Sequence, residues 1–249
     1  MIEARNITKS FGEKQVLKGV SVSFAPGMTN LIIGASGSGK TVMMKCLVGL
    51  LEVDGGEIYY DDRNFTNMKL EERKVLRREI GMLFQGGALF DSLNVEENIK
   101  FPLTMFSGMT EKEMLDRVNF CLQRVRLENV NKLYPSEISG GMQKRVAIAR
   151  AIAMKPKYLF CDEPNSGLDP QTSIVIDNLI KEITQEYNIT TIINTHDMNS
   201  VMEIGDKIVF IHQGNKWWEG DNESILETDN PEINHFVYAS KFLKRLKEK

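Results

Sequence analysis

The chain has 249 residues, of which 42% are hydrophobic and 26% are charged. This length and composition fit one large α/β domain, alone or with an inserted subdomain, that buries a sizeable core. The formal net charge of −3 leaves no global basic field, so we expect no nucleic-acid partner.

Membrane-spanning and export signals are not evident in the sequence. No apolar run approaches the roughly 18 to 20 residues that a helix needs to cross a bilayer. Residues 1–6 lack the basic region and apolar stretch of a signal peptide. Cys46, Cys121 and Cys161 are widely spaced, which is typical of reduced thiols. We therefore expect a cytosolic protein, unless a partner holds it at a membrane.

The first thirty residues predict a small antiparallel sheet. Apolar residues alternate or pair across Gly12 and Gly19 in residues 2–8, 16–20 and 22–24. Such alternation is typical of strands with one buried face.

Short continuous apolar runs predict a second, mainly parallel sheet, because strands covered on both faces need no alternation. The runs are residues 31–33, 80–84, 158–161, 191–194 and 208–211. Helical patterns separate them at about residues 40–48, 141–153 and 170–187. This order of elements predicts an α/β layer architecture.

Two further regions read as helical. Residues 84–158 carry mainly helical patterns, including 110–125, and predict a helical insertion between two strands of the main sheet. Beyond residue 220 the chain is polar and then helical. In the tail, Phe242, Leu243 and Leu246 lie near one helical face. That face packs on a neighbouring subunit or an anionic membrane, or the tail is simply a solvated terminus.

Residues 34–41, GASGSGKT, fit the phosphate-loop pattern directly after a predicted strand and before a predicted helix. Glycines let the backbone wrap closely around phosphate oxygens, and the helix N-terminus favours an anion. Lys40 supplies positive charge, and the Thr41 hydroxyl is suited to ligate Mg²⁺. The predicted nucleotide contacts are Gly34, Ser36, Gly37, Ser38, Gly39, Lys40, Thr41 and Val42.

Two acids, Asp162 and Glu163, follow the apolar run at 158–161. Ligands bind at the carboxyl ends of strands in open α/β sheets. We expect Asp162 to hold Mg²⁺, through water, and Glu163 to polarise the water that attacks the terminal phosphate. The alternative is a solvated acidic turn.

His196 follows another predicted strand, which should lie beside the Asp162 strand. That position favours a sensor of the γ-phosphate. The alternative is an ordinary core or surface histidine.

Residues 134–150, YPSEISGGMQKRVAIAR, resemble the signature of the ABC ATPases. The phosphate loop, Gln85, the two acids, residues 166–169 and His196 complete that family's motifs in the expected order. The resemblance covers nearly the whole chain. It implies a P-loop NTPase cassette with a mainly parallel core sheet, an N-terminal antiparallel β subdomain and an inserted α-helical subdomain.

The resemblance also implies a composite site that binds ATP and Mg²⁺. Ser139, Gly140 and Gly141 would grip a γ-phosphate held by a second copy of the chain, with Asp169 at the subunit junction. The working unit would then be a homodimer enclosing two nucleotides. Taken alone, Ser-Gly-Gly is equally a loop and helix cap.

Three further positions follow from the family pattern. Gln85 would act among both the catalytic residues and the Mg²⁺ ligands. Phe11 would stack on adenine, where a tyrosine is commoner. Met142 departs from the family, which usually has Gln after the two glycines.

Residues 83–99, LFQGGALFDSLNVEENI, and 138–152, ISGGMQKRVAIARAI, are similar to the ATPases of Mla-type phospholipid transport systems. That similarity implies an integral permease, an MCE-domain protein and a place at the cytoplasmic face of the bacterial inner membrane. The alternatives are an ABC ATPase for another solute, or a non-transport ABC ATPase such as an iron–sulfur assembly subunit.

The motifs and the family pattern predict three parts of the chain. Residues 1–85 and 157–220 would form the nucleotide-binding α/β core with its β subdomain. Residues 86–156 would form the helical subdomain that carries the signature, and residues 221–249 a C-terminal helical extension.

Overall fold

The computed structural model describes residues 1–238, so the predicted apolar face of the tail lies outside the described residues. In chain order, the strands of the described part are β1 (Ile2–Phe11), β2 (Lys14–Phe24), β3 (Thr29–Ile33), β4 (Gly55–Tyr60), β5 (Arg63–Asn64), β6 (Ile80–Leu83), β7 (Tyr158–Asp162), β8 (Thr190–Asn194), β9 (Lys207–His212) and β10 (Asn215–Gly220). The α-helices there are α1 (Lys40–Leu47), α2 (Leu70–Arg77), α3 (Val95–Phe106), α4 (Glu111–Arg124), α5 (Gly140–Ile152), α6 (Pro170–Glu186), α7 (Met198–Ile204), α8 (Ser224–Glu227) and α9 (Pro231–Val237). Among residues 1–238, no helix combines the length and apolarity that crossing a bilayer requires.

The larger sheet has the strand order β10-β9-β3-β8-β7-β6 and is parallel except for β10. Every residue of β3 and β8 is buried, because α5, α6 and α7 pack on one face of the sheet, and α1 with strands β1 and β2 packs on the other. The parallel α/β core is therefore confirmed. β3 begins two residues earlier than predicted, because Thr29 and Asn30 are buried polar residues that make hydrogen bonds rather than apolar contacts.

The smaller sheet is antiparallel, with the order β2-β1-β4-β5. The turn at Gly12 is confirmed, and the runs predicted at residues 16–20 and 22–24 are one strand, β2, which continues through Gly19. Gly19 has a φ of +82° where the β1–β2 register shifts. A Cβ there would lie 2.7 Å from the Asn6 side-chain oxygen. The glycine therefore forms a bulge within one strand rather than a turn between two.

A helical body formed by α3, α4 and α5 lies in the chain between β6 and β7. Its helices pack through buried apolar residues such as Ile99, Val118 and Ile148. Arg117 of α4 closes the end of α5 by donating to the carbonyl oxygens of Ile152 and Ala153, at 2.7 and 2.8 Å. These bonds satisfy helix-end carbonyls that would otherwise lack partners. The body presents the N-terminus of α5 at the surface, where Ser139 and Gly140 are exposed.

Candidate nucleotide-binding site

The phosphate loop connects the end of β3 to the start of α1. Gly34, Gly37 and Gly39 have φ values of +146°, +76° and +112°, which side chains disfavour. A Cβ on Gly34 would lie 2.2 Å from the Ile211 carbonyl oxygen, so β9 passes too close for any other residue. The loop faces a cavity of about 460 Å³ lined by Val16, Gly37, Gly39, Lys40, Thr41 and Val42, among others.

Lys40 is nearly buried at the start of α1. Its Nζ donates to the carbonyl oxygens of Gly34 at 2.8 Å and Ala35 at 3.2 Å. Burial lowers the pKa of Lys40, while the negative charges of Glu163 and Asp162 oppose that effect. Within residues 1–238 the hydrogen bonds of this ammonium go to neutral carbonyls, which it can exchange for phosphate oxygens, so the loop fits an anionic ligand.

Thr41 and Asp162 lie at the same edge of the sheet, because β7 and β8 are parallel neighbours with Asp162 opposite Asn194. The Asn194 Nδ2 atom donates to Asp162 Oδ1 at 2.6 Å and to Thr41 Oγ1 at 3.3 Å. A hydroxyl oxygen and a carboxylate are hard donors of the kind that Mg²⁺ prefers beside phosphates. The residues therefore fit the expected metal. Asn194 was missed in the sequence, where the only signal was a polar residue ending an apolar strand.

Glu163 and His196 are in contact: Glu163 Oε1 and His196 Nδ1 are 2.8 Å apart. The prediction that their strands are neighbours is confirmed. The Glu163 N–H donates to the Asn194 carbonyl oxygen at 2.9 Å. A φ of +48° at Glu163 turns the chain sharply after β7, an uncommon conformation for a residue with a side chain. Since the histidine ring is largely exposed, the pair borders open space at the sheet edge.

Gln85 is exposed just after β6, and the segment that follows it is fixed to the helical body. Gly86, Gly87 and Ala88 all have positive φ. Arg150 of α5 donates to the carbonyl oxygens of Gly87 at 2.7 Å and Ala88 at 2.8 Å. The chain therefore leaves the core sheet at Gln85 and is held by α5 within three residues.

Ser139 caps α5, with its Oγ accepting from the Met142 N–H at 3.3 Å. Within one chain, Ser139 therefore acts as the N-cap of α5. The exposed start of the helix is still available to an anion. A Cβ on Gly141 would lie 2.7 Å from Thr172 Cγ2, so α5 and α6 begin side by side. Asp169 caps α6 by accepting from Thr172, and those hydrogen bonds lower the pKa of Asp169.

Several predicted contacts are not brought together within the described chain. Ser139, Asp169 and Gln85 do not line the cavity at the phosphate loop. Phe11 is half-exposed at the end of β1, with the Lys9 ammonium 5.7 Å from its ring centroid, and it lines no part of that cavity either. Their roles stay predictions, as do those of Glu163 and His196.

A glycine-rich loop at a helix N-terminus, a buried lysine and a carboxylate at the same edge of the sheet define the chain as a P-loop nucleotide-binding protein. A family model described as ABC transporter matches residues 17–166, more than half of the chain. The chain therefore belongs to the ABC transporter family, as its ATP-binding subunit.

Curated relatives extend along nearly the whole chain. The probable ribonucleotide transport ATP-binding protein mkl of Mycobacterium leprae is 36% identical over 236 residues, covering 95% of this chain and 68% of that protein. Protein TRIGALACTOSYLDIACYLGLYCEROL 3, chloroplastic, of Arabidopsis thaliana is 36% identical over 256 residues, covering 96% of this chain and 74% of that protein.

Solved structures agree with the family. The cassette MJ0796, described as a dimer in a post-hydrolysis state bound to ADP and Pi, is 33% identical with a TM-score of 0.80, covering 89% of this chain and 99% of that one. The cbiO1 protein of Clostridium perfringens is described as part of the ABC transporter complex cbiONQ. It is 27% identical with a TM-score of 0.85, covering 99% of this chain and 97% of that one. The chain is an ATPase whose hydrolysis is coupled to transport.

Proposed function

We propose that two copies of the chain enclose two ATP molecules and drive a separate permease at the cytoplasmic face of the bacterial inner membrane. The cargo is phospholipid, moved between bacterial membranes by a system that also contains an MCE-domain protein. Support for the dimer comes from MJ0796, which is described as dimeric. Support for a membrane complex comes from cbiO1, described as part of an ABC transporter complex.

In the proposed site, residues of one chain bind the nucleotide and orient water. Lys40 exchanges its loop carbonyls for phosphate oxygens, while Thr41 and Asp162 hold Mg²⁺. Bound Mg²⁺ supplies positive charge to the phosphate oxygens. Glu163 accepts a hydrogen bond from the attacking water and polarises it. His196 keeps Glu163 oriented through the 2.8 Å contact and faces the γ-phosphate.

The second copy completes each site in this proposal. Ser139, Gly140 and Gly141 donate from the exposed start of α5 to the γ-phosphate held by the other chain. Asp169 lies at the junction between the copies. Phe11 is exposed enough to stack on adenine without any change in the core.

The observation that carries the permease contact is an exposed apolar surface in the segment between Gln85 and the end of α3. We define the α3 surface as Phe90, Phe101, Met105 and Phe106, which are between 40% and 58% exposed. The rings of Phe90 and Phe101 lie 4.8 Å apart between centroids, so they form one patch. Clustered exposed aromatic side chains mark protein-interaction sites. Arg150 of α5 donates to the Gly87 carbonyl oxygen and lies 5.9 Å from the Phe90 ring centroid, so a partner bound at this surface is linked to the signature motif.

The lipid assignment rests on residues 83–99 and 138–152, which resemble Mla-type ATPases, and on a relative whose name contains a glycerolipid. Another relative is named for ribonucleotide transport, which favours a different solute as the second candidate.

Affinity purification from native membranes tests the proposal. The tagged chain is extracted in a mild detergent, and co-purifying proteins and lipids are identified by mass spectrometry. Three forms are compared: the wild type, a variant carrying Phe101→Asp and Met105→Asp, and Val75→Asp as a control at an exposed apolar residue of α2.

We expect the wild type and Val75→Asp to retain a permease, an MCE-domain protein and phospholipid. The variant carrying Phe101→Asp and Met105→Asp should lose all three. A permease without lipid or MCE protein would favour another solute. Recovery of iron–sulfur assembly proteins in place of a permease would refute the transport proposal. Equal recovery with all three forms would refute docking at the α3 surface.

A further inference from the structure

Asn194 lies between the phosphate loop and the carboxylate edge, yet it belongs to none of the motifs in the sequence. It is 1% exposed at the end of β8, where every residue before it is also buried. Its Nδ2 atom is 2.6 Å from Asp162 Oδ1 and 3.3 Å from Thr41 Oγ1. Its backbone carbonyl also accepts from the Glu163 N–H at 2.9 Å.

The orientation of the Asn194 amide follows from its partners. An ionised carboxylate only accepts hydrogen bonds, so the Asn194 atom that lies 2.6 Å from Asp162 must be the N–H donor. The opposite atom, Oδ1, is then a buried acceptor, and it has no partner within residues 1–238. A buried polar atom without a partner is costly, which points to a ligand or water that it receives in the working protein.

We propose that Asn194 is a positioning residue that organises the Mg²⁺ ligands of this ATPase. Its two N–H groups hold the Thr41 hydroxyl and the Asp162 carboxylate side by side, and its free Oδ1 accepts a hydrogen bond from a water bound to the cation. Partners in this outer shell orient metal ligands and tune affinity. This inference rests on the proposed Mg²⁺ site at Thr41 and Asp162.

An amide suits this position better than the common alternatives in a buried strand. An aliphatic side chain would leave Asp162 Oδ1 without its donor, and a carboxylate would place a second negative charge beside Asp162. Because Asn194 also joins the β7–β8 ladder opposite Asp162, its side chain moves with the same strands that carry the two acids.

The test measures how strongly Mg²⁺ enhances the binding of AMP-PNP, an ATP analogue that is not hydrolysed. Isothermal titration calorimetry gives the Kd of AMP-PNP in EDTA and in excess Mg²⁺, and the ratio of the two reports metal coupling rather than turnover. The variants are Asn194→Leu, which matches asparagine in shape, and Asn194→Val, which suits a strand if the first does not fold. Thr190→Val is the control, since it removes a buried polar side chain at the other end of β8.

We expect the Asn194 variants to keep the wild-type Kd in EDTA and to lose about 10-fold or more of the Mg²⁺ enhancement. Thr190→Val should keep the full enhancement. An enhancement retained in folded Asn194 variants would overturn the role of Asn194 while leaving the Mg²⁺ site intact. A wild type without any Mg²⁺ enhancement would instead overturn the Mg²⁺ site itself.

Discussion

Asp177 carries a buried charge that the protein would be more stable without. It lies on α6 and is only 2% exposed, with Oδ1 lacking a hydrogen-bond partner among the described residues. Burial raises the pKa of Asp177 to about 6, although hydrogen bonds with Ser200 and Asn165 oppose the rise. The negative charges of Asp197 and Glu203 raise it further. We therefore predict that Asp177→Asn stabilises the fold near neutral pH.

The size of this gain follows from the pKa of Asp177. Each pKa unit corresponds to about 1.4 kcal/mol, so a rise from 3.8 to about 6 corresponds to about 3 kcal/mol. The folded state binds the proton more tightly than the unfolded state. Stability from this group is therefore complete below pH 4 and is lost as pH rises through about 6. An asparagine does not ionise, so the free energy of unfolding of Asp177→Asn should exceed that of the wild type by about 3 kcal/mol at pH 8 and by about 1 kcal/mol at pH 4.5.

Urea unfolding at pH 8 and pH 4.5 measures the free energy of unfolding of the wild type and of Asp177→Asn. Asp116→Asn, at an exposed position of α4, is the control and should change stability little at either pH. A variant that is less stable than the wild type at pH 8, or equally stabilised at both pH values, would show that the Asp177 charge is not the cause.

Other predictions concern the catalytic site and the Gln85 segment. Glu163→Gln should lower the rate of ATP hydrolysis at least about 100-fold while ATP binding is retained and the dimer is trapped; near-normal hydrolysis would remove Glu163 as the residue that polarises water. Mixing Ser139→Ala with Lys40→Ala chains should restore activity to a fraction of the dimers, because one composite site is then intact; no recovery would favour independent sites or obligate coupling of both sites. Arg150→Leu should destabilise the fold by about 1–3 kcal/mol and raise the rate of proteolytic cleavage within residues 86–94, while the Kd of AMP-PNP stays unchanged; an unchanged cleavage rate would contradict the attachment of that segment to α5.

Local signals in the sequence predicted much of the nucleotide site. The phosphate loop is read from eight consecutive residues, and its glycines adopt the positive φ that their position requires. The two acids and His196 were expected at neighbouring strand ends, because the apolar runs before them read as parallel strands. That neighbourhood is confirmed. The family follows from the order of the motifs, which is also a property of the sequence.

Periodicity failed where distant residues decide the conformation. The runs at residues 16–20 and 22–24 looked separate, but they form one strand with a bulge at Gly19, where the β1–β2 register shifts and a Cβ would lie 2.7 Å from the Asn6 side-chain oxygen. β4, β5 and α2 lacked a strong pattern of their own. β4 is held by pairing with β1, β5 by pairing with β4, and α2 by burying Leu76 in the core beside the smaller sheet.

The sequence alone determined the residue types that can bind phosphate and Mg²⁺, because each motif lies within a few consecutive residues. Only the tertiary structure decided which of them touch. Placing β8 between β3 and β7 brings Asn194 between Thr41 and Asp162, and it brings His196 within 2.8 Å of Glu163. These contacts join residues 153, 32 and 33 positions apart, and no local pattern encodes them.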